Sequence, residues 1–473
     1  MWQDVPMTKD ADHEFDQEEP RTAQKMAAGK EMRKAIPRSA HAEWSAPADR
    51  PDPVAVLEAQ AAQRMPDLVP IRYGRMLVSP GTFYRGGAGI MAWDLAHTPT
   101  TNMRVQCCGD AHLLNFGMYA APDRTMVFDL NDFDETLPAS FEWDLKRLVA
   151  SVTIAARDNG LSKKEARDAA QATAARYQSR MTELAEMPFL EAWYDRLDVS
   201  TILDNINRNL SDKHVKRAEK MVSKAERKTN IGALHRYAEK TDAGFKIMND
   251  PPVIVRISRD QVKIAQSLID GAWDEFLSTL DPDRRVVIER YRRIDFARKV
   301  VGVGSVGTQA FMMLLMGDRD DDPLFIQFKE AQQSVLAPYA GASIYKQEGE
   351  RVVQGQRIMQ AASDPFLGWT IGPGKKKKHF YLRQLRDMKG SADVATMDGP
   401  RIAVYGALCG AVLARAHSRS GDAAMISGYL GTGSVFAESM AAFGDAYADQ
   451  NELDFKALKA AEKSGRIKVE SGV

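Results

Sequence analysis

Read by the spacing of its apolar positions, the chain alternates between helical stretches and two short strand-rich blocks. Apolar residues recur at three- and four-residue intervals over 53–64 and 83–96, which predicts helices, whereas 103–108 reads as a short buried strand. Residues 115–119 and 125–130 read as two strands joined by Ala121-Pro122-Asp123-Arg124, a segment with suitable turn chemistry. Helical periodicity fills 141–157, 163–181 and several segments up to Tyr291, so the middle third is expected to be mostly helical. Within it, the basic run His214–Lys228 alternates charges with Ala, Met and Val and is expected to be a solvated helix face.

After Asp295 the texture changes. The runs 298–303, 308–316 and 324–329 are short, apolar and broken by Gly and Asp, which predicts three successive strands. A helix is expected at 352–362, then strands near 366–371 and 379–385, with Lys375 to Lys378 in a solvated turn between them. Helical patterns at 402–417, 434–447 and 455–462 close the chain, and no internal repeat is visible.

Composition narrows the function classes. The 473 residues are 44% hydrophobic, as in ordinary globular proteins, and no stretch reaches the roughly 18 apolar residues of a membrane span. The 64 basic and 64 acidic residues cancel, so nothing global draws the chain to nucleic acid or to an anionic membrane. Cys107, Cys108 and Cys409 are odd in number and two are adjacent, which suits a reducing, cytoplasmic setting better than a disulfide framework. Residues 1–50 are rich in charge and poor in apolar periodicity, and a disordered arm is expected there.

Candidate chemistry concentrates between Cys108 and Thr136, where Asp110, His112, Asn115, Asp129, Asp132 and Asp134 gather at strand ends. Phosphoryl transfer needs one carboxylate near the attacking hydroxyl, plus an amide oxygen and a further carboxylate to hold magnesium against phosphates. The bland alternative is that these acids cap turns and that His112 is an interior histidine. A second signal is the G-x-G-x-x-G of Gly302, Gly304, Ser305 and Gly307. A dinucleotide-binding fold would follow it with a helix, whereas a kinase loop joins two antiparallel strands over the phosphates. Lys329 then ends the next predicted strand but one, where a lysine could grip phosphate or merely solubilise an edge.

These residues carry a resemblance. Gly109-Asp110-Ala111-His112-Leu113-Leu114-Asn115 is similar to the catalytic loop of aminoglycoside phosphotransferases and choline-kinase-like enzymes, and Asp132-Phe133-Asp134 looks like their metal-binding element. The resemblance implies Asp110 as catalytic base, Asn115 as a magnesium ligand, and Asp132 or Asp129 as the second ligand. Cys108 stands where that pattern usually has His, while Phe141 to Leu145 resembles the helix opening whose Asp144 would brace the loop. By the same likeness Gly302, Gly304, Ser305 and Gly307 would cover the phosphates of ATP and Lys329 would hold them. Glu350, chosen over Glu348 and Glu330, would fix that lysine, and 381–387 would form the last strand and the hinge beside adenine.

The glycine loop here follows the carboxylate loop, the reverse of ordinary kinases, so the implied architecture is a circular permutant. It is an α+β, two-lobed protein-kinase-like fold with a large helical lobe and a small antiparallel-sheet lobe. Its implied parts are the arm (1–50), a C-lobe-like region (51–294), an N-lobe-like sheet (295–390) and a helical segment packing back (391–473). From about Pro70 to Asp454 the chain also resembles a bacterial family catalogued as domain of unknown function 2252, through CGDAHLLNFG, NDFDET, KVVGVGSVGT and YLRQLRDMKGS. The expected function is ATP- and magnesium-dependent phosphoryl transfer to a hydroxyl acceptor, small molecule or protein, with the acceptor and oligomeric state open. The alternatives are a nucleotide-binding regulator without transfer, kept open by Cys108, and an NAD-binding enzyme.

Overall fold

A computed structural model of the chain describes residues 21–209, 212–242, 244–257, 259–300, 302–372, 377–385 and 388–472. It is an α+β protein. Helix Phe141–Asp158 lies at the centre of a helical body, buried along nearly its whole length against helices Lys163–Glu186, Gly399–Ser418 and Val435–Lys463. Ser162 starts the second of these with a capping box, its side chain accepting from the Glu165 N–H while Glu165 accepts from Ser162. Close helix approach is bought by glycine: a Cβ on Gly410 would stand 2.3 Å from the Thr173 carbonyl oxygen.

Four short strands join this body: β1 (Arg104–Cys107), β2 (Phe116–Ala120), β3 (Met126–Leu130) and β4 (Leu137–Ser140). β1 pairs with β4 and β2 with β3, both antiparallel. The expected turn between β2 and β3 is present, with the Asp123 carboxylate accepting from the Thr125 N–H at 2.9 Å. The middle third, expected to be mostly helical, also holds a hairpin of β5 (Ala238–Thr241) and β6 (Gly244–Ile247) and the strand β7 (Ile254–Arg256), runs too short to leave a clear period.

The second strand block forms one six-stranded antiparallel sheet. With β8 (Arg292–Lys299), β9 (Ala310–Met316), β10 (Pro323–Ala331), β11 (Gly368–Ile371) and β12 (His379–Gln384), its order is β11-β12-β10-β9-β8-β7. β10 is buried throughout. Leu324, Ile326 and Phe328 face a core shared with Trp273 and Phe276, while Phe325 packs with Met312 and Leu314 on the opposite face. Helix Glu348–Met359 packs on this sheet, and its Arg351 donates to the carbonyls of Asp134, Thr136 and Gln332, tying the sheet to the helical body. Lys378, expected in a solvated turn, is instead paired with Glu330 at 2.8 Å; Lys375 and Lys376 lie outside the described residues.

The expectation of a disordered arm is corrected for 21–50, while residues 1–20 lie outside the described residues. Helix Thr22–Glu31 docks along helix Ala423–Leu430. Arg33 and Arg38 donate to the carbonyls of Gly428, Tyr429 and Leu430, the free carbonyls at that helix's C-terminus. Arg50 is clamped between Asp94 and Asp454. High charge density misled because these charges bind specific partners rather than water. The same partners explain why 435–463 is one helix and not two: its polar interruption, Asn451 and Asp454, is satisfied by the Pro80 carbonyl and Arg50.

His41 in this segment is fully buried, with Nε2 2.7 Å from the Tyr429 hydroxyl. Burial, aided by the nearby Lys146 ammonium, pushes it down to about 3. A group whose folded pKa is depressed in this way stays neutral in the native state while the unfolded chain takes up a proton below about pH 6.5. Stability therefore falls as pH drops below that value, by about 2 kcal/mol at pH 5 from this residue. Urea denaturation at pH 7 and pH 5 is expected to show a smaller acid-induced loss for His41→Gln than for the native chain, and equal losses would refute it.

Candidate active site

The loop after β1 is held by one face of helix Phe141–Asp158. Asp144 accepts the N–H of Cys108 at 2.7 Å and of Gly109 at 3.0 Å. His417 Nε2 lies 3.2 Å from the same carboxylate, and the Tyr177 hydroxyl 2.9 Å from His417 Nδ1, so a buried chain of side chains fixes the brace. Gly109 has φ +79° and a Cβ there would stand 2.2 Å from the Glu135 carbonyl oxygen, so this position requires glycine. Arg147, three residues beyond Asp144 and hence on the same helix face, donates through Nε to Asp110 Oδ1 at 2.7 Å and packs its guanidinium over the Tyr84 ring. Backbone and side chain of the loop are thus held by neighbouring turns of one helix.

Asp110 Oδ2 has His112 Nε2 at 3.7 Å. Burial pushes His112 down to about 4, against the opposing pull of Asp110 and with help from Arg85 and Arg147, so its ring is neutral at pH 7. Asn115 commits its amide Nδ2 to the carbonyls of Asp110 at 3.0 Å and Asp132 at 2.9 Å, which leaves Oδ1 as the atom for a ligand.

Lys329 sits on the same face of β10 as Phe325 and Gln327, and its ammonium lies 3.3 Å from both oxygens of Asp132 and in contact with Asp134. Asp134 also receives the Tyr381 hydroxyl at 2.8 Å and the Ser305 hydroxyl at 3.1 Å. Burial alone would raise Asp132, but the Lys329 ammonium and the Arg383 guanidinium hold it down to about 2. The same two aspartates hold Lys329 well above the ordinary lysine value, against its burial.

A cleft of about 690 Å³ brings these parts together, lined among others by Asp110, Asn115, Asp132, Gly302, Gly304 and Ser305. Four expected residues, Lys329, Asp129, Glu350 and Gly307, do not line it, and Lys329 meets it only through the Asp132 carboxylate. Asp129 is buried in an ion pair with Arg415 and does not line the cleft, because it lies within β3 with its side chain turned to helix Gly399–Ser418. Glu350 is not among the described partners of Lys329; it begins helix Glu348–Met359, and the nearer acids of the 132–134 segment take its place. Gly307, with φ +92°, packs on the Arg64 side chain outside the cleft lining. The glycine segment connects the antiparallel strands β8 and β9, and no helix follows Gly307, so the geometry expected of a dinucleotide-binding turn is absent.

Asn115 Oδ1 and the Asp132 carboxylate supply hard oxygen donors at the cleft, a set that fits magnesium. The buried trio Cys107, Asp144 and His417 could also approach one ion, but Asp144 is already occupied by two backbone N–H groups and His417, so the trio is a brace. Arg147, Tyr381 and Arg383 escaped the sequence reading as site residues. Arg147 was detectable from its spacing after Asp144 and Tyr381 from its place two before Arg383 on a predicted strand, but neither spacing names the aspartate each one meets. Arg383, expected only as part of the 381–387 strand and hinge, lines the cleft and donates to the Asn131 carbonyl at 3.1 Å.

No described helix is long and apolar enough to cross a membrane. The chain matches no curated protein and no solved structure. A family model described as "Uncharacterized protein conserved in bacteria (DUF2252)" matches residues 64–461, a span that contains the braced loop, the glycine segment and Lys329. The chain therefore belongs to that family, DUF2252.

Proposed function

We propose that the protein is an ATP- and magnesium-dependent phosphotransferase of the protein-kinase-like type, circularly permuted, acting on a hydroxyl acceptor. The observation that carries this reading is that a glycine loop between antiparallel strands and the Asp110-Asn115-Asp132 set line one cleft, with Lys329, on the strand after the glycine-loop hairpin, buried against Asp132. In protein kinases the glycine-rich loop likewise covers the phosphates, and the phosphate-holding lysine lies on the strand that follows the glycine-loop hairpin.

Each residue then has a role. The glycine loop's backbone N–H groups and Lys329 bind the triphosphate, and Asn115 Oδ1 and Asp132 hold magnesium, which neutralises charge on the phosphates when bound. Arg147 fixes Asp110 through Oδ1, leaving Oδ2 to accept the acceptor's hydroxyl hydrogen bond. The acceptor oxygen forms its bond to the γ-phosphorus as the bond to the ADP oxygen breaks, and the hydroxyl proton passes to Oδ2.

Calorimetric titration with ATP and NADH in parallel tests the reading. ATP is expected to bind in the micromolar to millimolar range with magnesium present and far more weakly in EDTA, while NADH gives no heat beyond dilution. Binding of NADH in preference to ATP would sink it.

A further inference from the structure

Three arginines line the cleft without an ion-pair partner among the described residues. Arg64 follows helix Pro53–Ala61, Arg72 lies on helix Val69–Met76 and Arg85 on helix Pro80–Gly86. Arg72 is fully buried. Its Nη2 donates to Gln60 Oε1 at 2.9 Å and to the Gly86 carbonyl at 3.0 Å, while Nε and Nη1 have no partner among the described residues. Arg64 donates to the Val306 carbonyl and has a buried, unpartnered Nε. The Nε of Arg85 is likewise buried and unpartnered.

None of the cleft's acids forms an ion pair with them among the described residues, although Glu135 acts on Arg64 and Asp110 on Arg85. Asp110 is taken by Arg147, Asp132 and Asp134 by Lys329, and Glu330 by Lys378. Glu135 accepts the Val335 N–H, and burial pushes its carboxyl up to about 7. Guanidinium groups remain charged under all ordinary conditions. Three of them, desolvated in one cavity wall with N–H groups unused, leave a large uncompensated positive potential that an anion would relieve.

Their position selects between the two phosphate-bearing ends of a transfer reaction. Lys329 and Arg383 reach Asp132 from the sheet. The arginines come from the helical region that precedes the carboxylate loop: Asp110 and Asp132 are the acids that act most on Arg85, while Arg64 donates to the Val306 carbonyl at the end of the glycine loop. An anion there lies beside Asp110, where the acceptor hydroxyl must sit.

Resting on the phosphotransferase reading, we infer that the acceptor is itself an anion, a hydroxyl compound carrying a phosphate or carboxylate group that Arg64, Arg72 and Arg85 bind. The test uses inorganic phosphate as probe on the full chain. Calorimetry and melting temperature are followed with phosphate against sodium chloride of equal ionic strength, with and without saturating magnesium and a non-hydrolysable ATP analogue. The native chain is expected to bind phosphate in both conditions. Arg85→Gln and Arg64→Gln are expected to bind it about tenfold or more weakly while still binding the nucleotide. Arg72→Met is expected to fall likewise if it folds by circular dichroism, and the other two variants carry the test if it does not. Phosphate binding no different from chloride, or unchanged in the two glutamine variants, would overturn the inference. Phosphate displaced by the nucleotide would also overturn it, by assigning the arginines to ATP. Arginine-dependent phosphate binding in a chain that binds no nucleotide would keep the anion site while ending the phosphotransferase reading on which the acceptor role rests.

Discussion

Asp110→Asn is expected to lower turnover of magnesium–ATP by about 10²–10⁴-fold, the usual contribution of a positioned general base, while nucleotide affinity stays close to native. The substitution is nearly isosteric, so the ion pair with Arg147 is exchanged for a neutral hydrogen bond and the brace from Asp144 to Cys108 and Gly109 is untouched. Loss of turnover with binding retained separates a role in transfer from one in holding ATP. Phosphate release measured beside calorimetry on the same preparations decides it. A variant that turns over as fast as the native chain would remove Asp110 from the mechanism and favour a nucleotide-binding regulator.

Lys329→Met is expected to weaken magnesium–ATP binding by about tenfold to a hundredfold, the loss of a charge-assisted hydrogen bond, and also to destabilise the fold. Lys329 is 2% exposed, and its removal leaves Asp132 and Asp134 close together, with Arg383 as the cation acting most on Asp132. Breaking a buried pair costs about 3–5 kcal/mol; these carboxylates are partly open to the cleft, so a loss of about 1–3 kcal/mol is expected. The pH dependence has a definite sign. Asp132 is held at about 2 in the native chain, so its contribution to stability is present above its unfolded value, near pH 4, and is lost as pH falls towards 2. The stability gap between native chain and variant should therefore be widest near neutrality and narrow below pH 4. Lys329→Arg is not expected to rescue binding, because a planar guanidinium does not fit where a compact ammonium sits between two carboxylates and the Tyr381 ring. Unchanged nucleotide affinity in Lys329→Met would place the phosphates elsewhere.

Much of the local structure was legible because it is written in short-range chemistry. The strand 103–108, the hairpin around Asp123 and the strand after the glycine loop follow from apolar and turn residues that act within a few positions, whereas the strand before that loop, expected over 298–303, runs over the charged segment Arg292–Lys299. The clustering of Asp110, Asn115 and Asp132 was legible too, since one loop and one hairpin suffice to bring them together. Less legible were elements whose order depends on distant partners. Residues 21–50 carry the composition of a solvated arm, yet Arg33 and Arg38 meet carbonyls almost four hundred positions away, and Arg50 meets Asp94 and Asp454.

What the sequence determined by itself is the set of chemical groups and their local geometry: a glycine loop entering an apolar strand, a lysine at strand period with Phe325, and oxygen ligands on a tight loop. Tertiary structure alone decided which group meets which. Asp129 and Asp132 are both acids at the end of one strand, but Arg415 takes the first into the interior and Lys329 draws the second to the cleft. Glu350 had the better kinase precedent as the lysine's partner, and the 132–134 acids hold that place. The reason is that periodicity fixes the side of an element on which a residue lies, whereas the charge facing it is set by the packing of segments remote in the chain.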